Sequence, residues 1–118
     1  MSHITGRAFI TVNGKRLKSR PGATLKIGGF NRTPVIGDDG VHGYTEEVVA
    51  PEISCTISHD KDTSLTDISN SKNDSVGFET DSGKTYLQSG SFLTTPPELN
   101  GQDGGVALTY AGLSIEEL

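Results

Sequence analysis

The stretch "EISCTIS" at 52–58 alternates without a break: Ile53, Cys55 and Ile57 fall on one side, Glu52, Ser54, Thr56 and Ser58 on the other. A side-chain period of two, apolar against polar, marks a β-strand with one covered face and one wet face. Residues 46–51, "EEVVAP", lead into it and read as extended. Pro51 has no N–H for a ladder, so a bend, a bulge or a sheet edge is expected there.

The same period recurs outward from this strand. "RAFITV" at 7–12 sets Ala8, Ile10 and Val12 against Arg7, Phe9 and Thr11, and "NG" at 13–14 follows before "KRLK". Asn-Gly suits a type I′ hairpin turn, whose central residues both need positive φ. "RPGA" at 20–23 is a second turn, and "TLKIGG" at 24–29 a short strand with Leu25 and Ile27 facing inward. Downstream, "SVGFET" places Val76 and Phe78 on one face, "DSG" turns the chain, and "KTYLQSGSFL" returns antiparallel with Gly90 as a bulge marker. "VALTYAGL" at 106–113 sets Val106, Leu108 and Tyr110 against Ala107, Thr109 and Ala111.

One segment, "DKDTSLTDISN" at 60–70, reads as a helix of two or three turns at most. Leu65 and Ile68 share a face, Asp60 or Asp62 is the expected cap, and Asn70 the end. Two stretches read as long loops. "TTPPELNGQDGG" spans 94–105, and "GGFNRTPVIGDDGVHGYTEE" at 28–47 has five Gly in twenty residues, an Asp pair and no sustained period. Loops of that length in a compact domain are functional or disordered. "SIEEL" at the end reads as an acidic tail. The sum is about seven strands and one flanking helix, a mainly β, antiparallel sandwich or barrel in a single domain, 1–118.

Hydrophobic residues make up 32% of the 118, with 15 Gly, no Trp and seven aromatics. That core is lean, as in a subunit completed by neighbours. A single cysteine, Cys55, excludes an intrachain disulfide. No apolar h-region opens the chain and no apolar run reaches membrane-spanning length, so a soluble protein made without Sec export is expected. The formal charge is −5, which argues against nucleic-acid binding through a generally basic surface. Its distribution is uneven. Arg7, Lys15, Arg16, Lys18, Arg20, Lys26 and Arg32 precede every Asp and Glu, all of which lie at position 38 or later. Either a solvated basic hairpin or a docking surface with opposite signs at its two ends has this pattern.

Chemical motifs fail on inspection. "SGKT" at 82–85 ends like a P-loop, but position 78 is Phe where that pattern needs Gly, and the segment leads into a strand. "DKDTS" at 60–64 begins like a calcium loop, but Leu65 stands at the sharp-turn Gly position and Ser71 at the bidentate Glu position. Cys55 and His59 on one strand lie about 13 Å apart, too far to share a zinc ion. His3, His42 and His59 are scattered. No catalytic, cofactor or metal site is expected, and no enzyme.

Taken together, "ITGRAFITVNGK" at 4–15, the segment 28–46 with "GDDGVHGYTE" at 37–46, "PEISC" at 51–55, "SGKTYLQSGSF" at 82–92 and "YAG" at 110–112 resemble the tail tube protein of Mu-like contractile-tailed bacteriophages. The likeness runs over nearly the whole chain. It implies a small β-barrel or sandwich with a helix at its side. Six copies would form a ring whose strands join into an inner barrel. Rings would stack into the tube of a virion tail, assembled in the host cytoplasm, with sheath outside, tape measure protein inside and baseplate and terminator proteins at its ends. DNA would pass through without sequence-specific binding. The resemblance implies no active site and no cofactor. Type VI-like and non-contractile tube rings share this architecture, and a monomeric β-sandwich binding module is the rival of another class.

On that reading two sets of residues carry function. The stretch 30–44 is expected to be an arm packing on the neighbouring ring, with Phe30, Val35, Ile36 and Tyr44 as apolar anchors, Arg32 facing an acid across the interface, and Asp38 and Asp39 facing Lys or Arg of the next ring. The alternative is a loop folded back over its own subunit. Glu52, Ser54, Thr56 and Ser58 are expected to face the bore, with parts of 24–29 and a later strand beside them. Six chains would carry about −30, and a bore lined by acidic and neutral groups would let DNA slide.

Overall fold

The computed structural model describes residues 3–70 and 72–118. Ser71, the position where a calcium loop would need its Glu, lies outside the described residues, as do Met1 and Ser2. In chain order the elements are β1 (Ala8–Val12), β2 (Lys15–Arg16), β3 (Thr24–Lys26), β4 (Gly29–Gly37), β5 (Gly40–Val49), β6 (Glu52–Ser58), α1 (Leu65–Ser69), β7 (Asp74–Thr80), β8 (Thr85–Leu93), β9 (Glu98–Leu99), β10 (Gly105–Ala111) and β11 (Ser114–Glu117). The class is the one expected, antiparallel and mostly β with one short helix.

Alternation in the sequence becomes burial in the structure. In β6, Ile53, Cys55 and Ile57 are buried, and the four polar residues between them are half-exposed. Asn13 at φ +52° and Gly14 at φ +85° form the turn between β1 and β2 that Asn-Gly dictates. Nine strands form one sheet along the path β2-β1-β7-β8-β10-β6-β3, with β11 attached to β8 and β9 to β10. The core lies between its two halves. Ile10, Val76 and Phe78 come from one half; Ile53, Cys55, Ile57, Val106, Leu108 and Tyr110 come from the other.

Strand β8 belongs to both halves. Its first part pairs with β7 and β11, while Phe92 and Leu93 pair with Ala111 and Tyr110 of β10. Between these parts, the two steps from Asp74 to Val76 face three steps of β8, from Ser91 back to Gln88. That is the bulge Gly90 announced: its φ is +63°, and a Cβ there would come within 2.8 Å of the Leu113 side chain. Gln88, fully buried, secures the corner. Its Nε2 donates to the Pro51 carbonyl at 3.0 Å and the Tyr110 carbonyl at 3.4 Å, and its Oε1 accepts from Ser91 Oγ at 2.7 Å. Segment 17–20 links the opposite sides: Leu17 N–H donates to the Ile10 carbonyl, Ser58 N–H to that of Lys18, and Arg20 N–H to that of Thr56.

Several expectations are corrected. The stretch 28–47 is not an irregular loop. β4 and β5 form a regular antiparallel ribbon, a two-stranded sheet of its own. Nine residues at ~3.3 Å each make it about 30 Å long. It accounts for a radius of gyration of 17.4 Å and a long dimension of 63 Å, against about 13.5 Å for the radius of a compact chain of this length. The loop at 94–105 contains β9, and the acidic tail is strand β11, so the described residues hold eleven strands rather than seven. Ser64, not Asp60 or Asp62, caps the helix; its Oγ accepts from Asp67 N–H at 3.3 Å, and Asn70 ends it. The acids upstream form a turn instead, with Asp60 Oδ1 accepting from Asp62 N–H. Ile27 is 66% exposed, because the chain leaves the β3–β6 ladder there.

Replacing Gln88 with Leu removes both amide hydrogen bonds to the buried Pro51 and Tyr110 carbonyls and leaves the Ser91 hydroxyl only its longer bond to the residue 88 backbone carbonyl, 3.3 Å. It is expected to cost about 2–3 kcal/mol, read as a lower urea midpoint with unchanged slope.

Candidate assembly surfaces

The arm continues the β3–β6 ladder past a bend. Lys26 faces Glu52, the ladder stops, and pairing resumes with Gly29 opposite Val49. Gly28 and Gly29, at φ +77° and +118°, make that bend, and a Cβ on Gly28 would lie 2.7 Å from Pro51 N and 2.8 Å from the Val49 carbonyl. Glycine is required there for its conformation and for close approach. Pro51, the break foreseen in the sequence, is thus the root of the arm, and its carbonyl is held by Gln88 and by Gly112 N–H.

Register sorts the arm into two faces. Phe30 opposes Val48, Arg32 opposes Glu46, Pro34 opposes Tyr44 and Ile36 opposes Val41, all on one side. Asn31, Thr33 and Val35 oppose Glu47, Thr45 and Gly43 on the other. The first face is apolar and uncovered: Phe30, Ile36, Val41, Tyr44 and Val48 are between 53% and 78% exposed. Of the residues expected to act together, Phe30, Arg32, Ile36 and Tyr44 share it, while Val35 lies on the polar side. In the single subunit Arg32 is already paired, its Nε 3.1 Å from Glu46 Oε1 and its guanidinium 5.7 Å from the centre of the Tyr44 ring. Val41 and Val48 were missed. The two-residue turn at Asp38–Asp39 puts Val41 opposite Ile36, and the bulge at His42 shifts the register so that Val48 opposes Phe30. Asp38 and Asp39 form the exposed tip, where the bulged His42 reaches back, Nε2 2.6 Å from Asp39 Oδ1.

The second surface is the outer face of β6. Glu52, Ser54, Thr56 and Ser58 lie together, opposite Ala111, Thr109, Ala107 and Gly105 of β10. Thr24 and Lys26 flank them on β3, and Glu98 stands opposite Ala107. Small residues keep this face flat. Ser54 Oγ lies 3.4 Å from both Glu52 Oε1 and Thr109 Oγ1. This face is not purely acidic and neutral: Lys26 stands opposite Glu52, and Arg20 donates from Nε to Ser58 Oγ at 3.1 Å.

Elsewhere several charged groups are paired on the surface. Lys18 hydrogen-bonds Asp60, which raises the lysine pKa and lowers that of the carboxylate. Glu117 does the same for Lys84. The Gly6 N–H, ahead of other partners, lowers Asp81. Among the described residues no His, Cys, Asp and Glu side chains gather as a metal site, and no helix is long and apolar enough to cross a membrane.

Residues 1–117 match the family model described as phage tail tube protein. The chain belongs to the phage tail tube family. Two relatives carry the same description. The Mu-like prophage FluMu tail tube protein of Haemophilus influenzae is 32% identical, with 99% of this chain and 98% of the relative aligned. The tail tube protein of Escherichia phage Mu is 32% identical over 85% of this chain and 81% of its own. Among solved structures, a chain of an extracellular contractile injection system, described as the PVC sheath/tube terminator in the extended state, superposes with a TM-score of 0.68 at 13% identity, covering 95% of this chain and 93% of its own. A chain of the PVC sheath-tube complex gives 0.65 at 13% identity, over 96% and 88%. These two show the fold. A tail tube protein is a structural component of the virion, not an enzyme.

Beneath the outer face of β6, burial pushes the Cys55 thiol up to about 11. Its unfolded pKa is about 8.5. This contribution to stability is therefore complete below that pH and is lost as the pH rises through the folded value. At pH 8 a thiol reagent is expected to leave the folded tail tube protein unmodified and to label one thiol per chain in urea; rapid labelling without denaturant would contradict this packing.

Proposed function

We propose that six copies of this tail tube protein close into a ring, and that rings stack into the inner tube of a contractile tail through which DNA is ejected into the host. One observation carries the reading: a ribbon about 30 Å long whose one face sets Phe30, Ile36, Val41, Tyr44 and Val48, broken only by the Arg32–Glu46 pair, where its own subunit leaves them uncovered. Monomeric proteins rarely present such a face, and it marks a site of association. Sheet edges that would be an aggregation hazard in a monomer become joints when a ring closes on them. The outer face of β6, flat, small and hydrated, lines the bore, where Glu52 and Glu98 limit adhesion of phosphates and Lys26 is held opposite Glu52. The sheath lies outside, the tape measure protein occupies the bore before ejection, and terminator and baseplate proteins close the ends. Assembly takes place in the host cytoplasm.

Shortening the arm tests its part directly. Replacing residues 31–47 by Asn-Gly keeps Phe30 opposite Val48 and closes the ribbon with a two-residue turn. The expected product is a folded subunit that makes rings but no long tubes by electron microscopy; tubes of normal length would refute stacking through the arm. Placing Arg at Thr56, in the middle of the β6 outer face, is expected to leave tubes intact while lowering infectivity at least ten-fold through retained phosphate contacts. Wild-type infectivity would remove this face from the bore.

A further inference from the structure

We infer that the tip of the arm seats in a groove at the opposite end of the neighbouring copy, between the β1–β2 turn and the helix. The inference rests on the reading that the arm joins rings, and it names the surface that receives it.

Placement comes first. The arm leaves the body at the Glu52 end of β6; the groove opens at the Ser58 end of the same strand. It is a cavity of about 470 Å³ whose apolar lining includes Val12, Leu17, Ile57 and Ile68. A projecting element and a receptor at opposite ends of one strand make a head-to-tail contact. Such a contact does not close on itself and so propagates as a filament.

Chemistry agrees with placement. The tip offers two exposed apolar side chains, Ile36 and Val41, next to the acidic turn Asp38–Asp39. The groove offers an apolar floor and, on the β2 side, a lip where Lys15 is exposed beside Arg16, which pairs with Glu79, and Lys18, which pairs with Asp60. Two acids of the groove are already answered within the subunit: Asp60 by Lys18, and Asp74 by the Asn13 side-chain amide at 3.0 Å. Asp62 and Asp67 mark the helix-side lip. The two lips thus differ in sign and fix the orientation, with the Asp38–Asp39 turn lying along β2 and away from the helix. Ile36 and Val41 would lose water against the floor, the Asp pair would meet Lys15, and the unlike-charge match would reject a reversed seating.

Cross-linking and charge exchange test this together. Lys15→Cys and Asp38→Cys chains are mixed and assembled, with Cys55 retained because it is buried. Oxidised tubes are expected to yield disulfide-linked dimers containing one chain of each kind. Lys15→Glu is expected to raise the concentration needed for tube growth at least ten-fold, and adding Asp38→Lys to the same chain to restore it. Monomer melting curves of these surface variants should coincide with wild type. Tubes without mixed disulfides, or Lys15→Glu tubes growing at wild-type concentration, would overturn the docking site. Loss of growth in Lys15→Glu without rescue by Asp38→Lys would also overturn it, by assigning the groove to another occupant. If the arm-shortened chain loses its tubes while these experiments fail, ring stacking by the arm stands and only this receptor is wrong. If the arm-shortened chain grows normal tubes, both readings fall.

Discussion

A single buried amide sits where every large part of this subunit meets. Gln88 flanks the bulge that lets β8 serve two half-sheets, and its side chain reaches the carbonyls of Pro51 and Tyr110. Pro51 begins the strand whose outer face is the proposed bore lining and ends the arm. Tyr110 lies on β10, between β8 and β6. Buried polar groups are costly unless satisfied, so this amide fixes one relative placement of β8, β10 and the arm root and excludes near alternatives. Gly112 completes the arrangement, since a Cβ there would come within 2.6 Å of Gln88 Cγ.

Arm and body are stabilised in different ways. The body has a core of Ile, Val, Leu, Phe, Tyr and Cys side chains drawn from both half-sheets. The arm has its own ladder, the Arg32–Glu46 pair, the Arg32–Tyr44 contact and the His42–Asp39 contact at its tip. A two-stranded ribbon is marginal alone in water. Its root therefore matters more than its length: two glycines at positive φ and a proline held through its carbonyl aim the ribbon within the single subunit.

Charge follows the same division. The ion pairs on the body, Lys18–Asp60, Arg16–Glu79 and Lys84–Glu117, are exposed and add little to folding. They bear more on which surfaces can meet. The basic first third of the sequence is spread over the start of β1, the β1–β2 turn, the flank of the β6 outer face and, at Arg32, the arm. The acidic pair Asp38–Asp39 is carried to the far tip of the arm. Segregation along the sequence is thus largely undone in space, where Arg7, Arg16, Lys18, Arg20 and Arg32 meet Asp81, Glu79, Asp60, Asp103 and Glu46.

The sequence determined the strands of the core. Alternation at 52–58, 7–12, 75–80 and 106–111 specified each buried face correctly, because a period of two leaves one registration of side chains against a core. Asn13–Gly14, Gly90 and Pro51 specified turn, bulge and break, because each residue limits its own backbone. The arm was not legible as a ribbon. Pro34 and five glycines hide its period on either strand alone, and its apolar face arises only when Phe30, Pro34 and Ile36 are set beside Val48, Tyr44 and Val41 across the ladder. Strand β11 was hidden for the same reason: Ser114–Glu117 has little apolar content, and its pairing with β8 is a property of the partner. Local backbone preference is written residue by residue, whereas a face built from two strands exists only once tertiary structure has chosen their register.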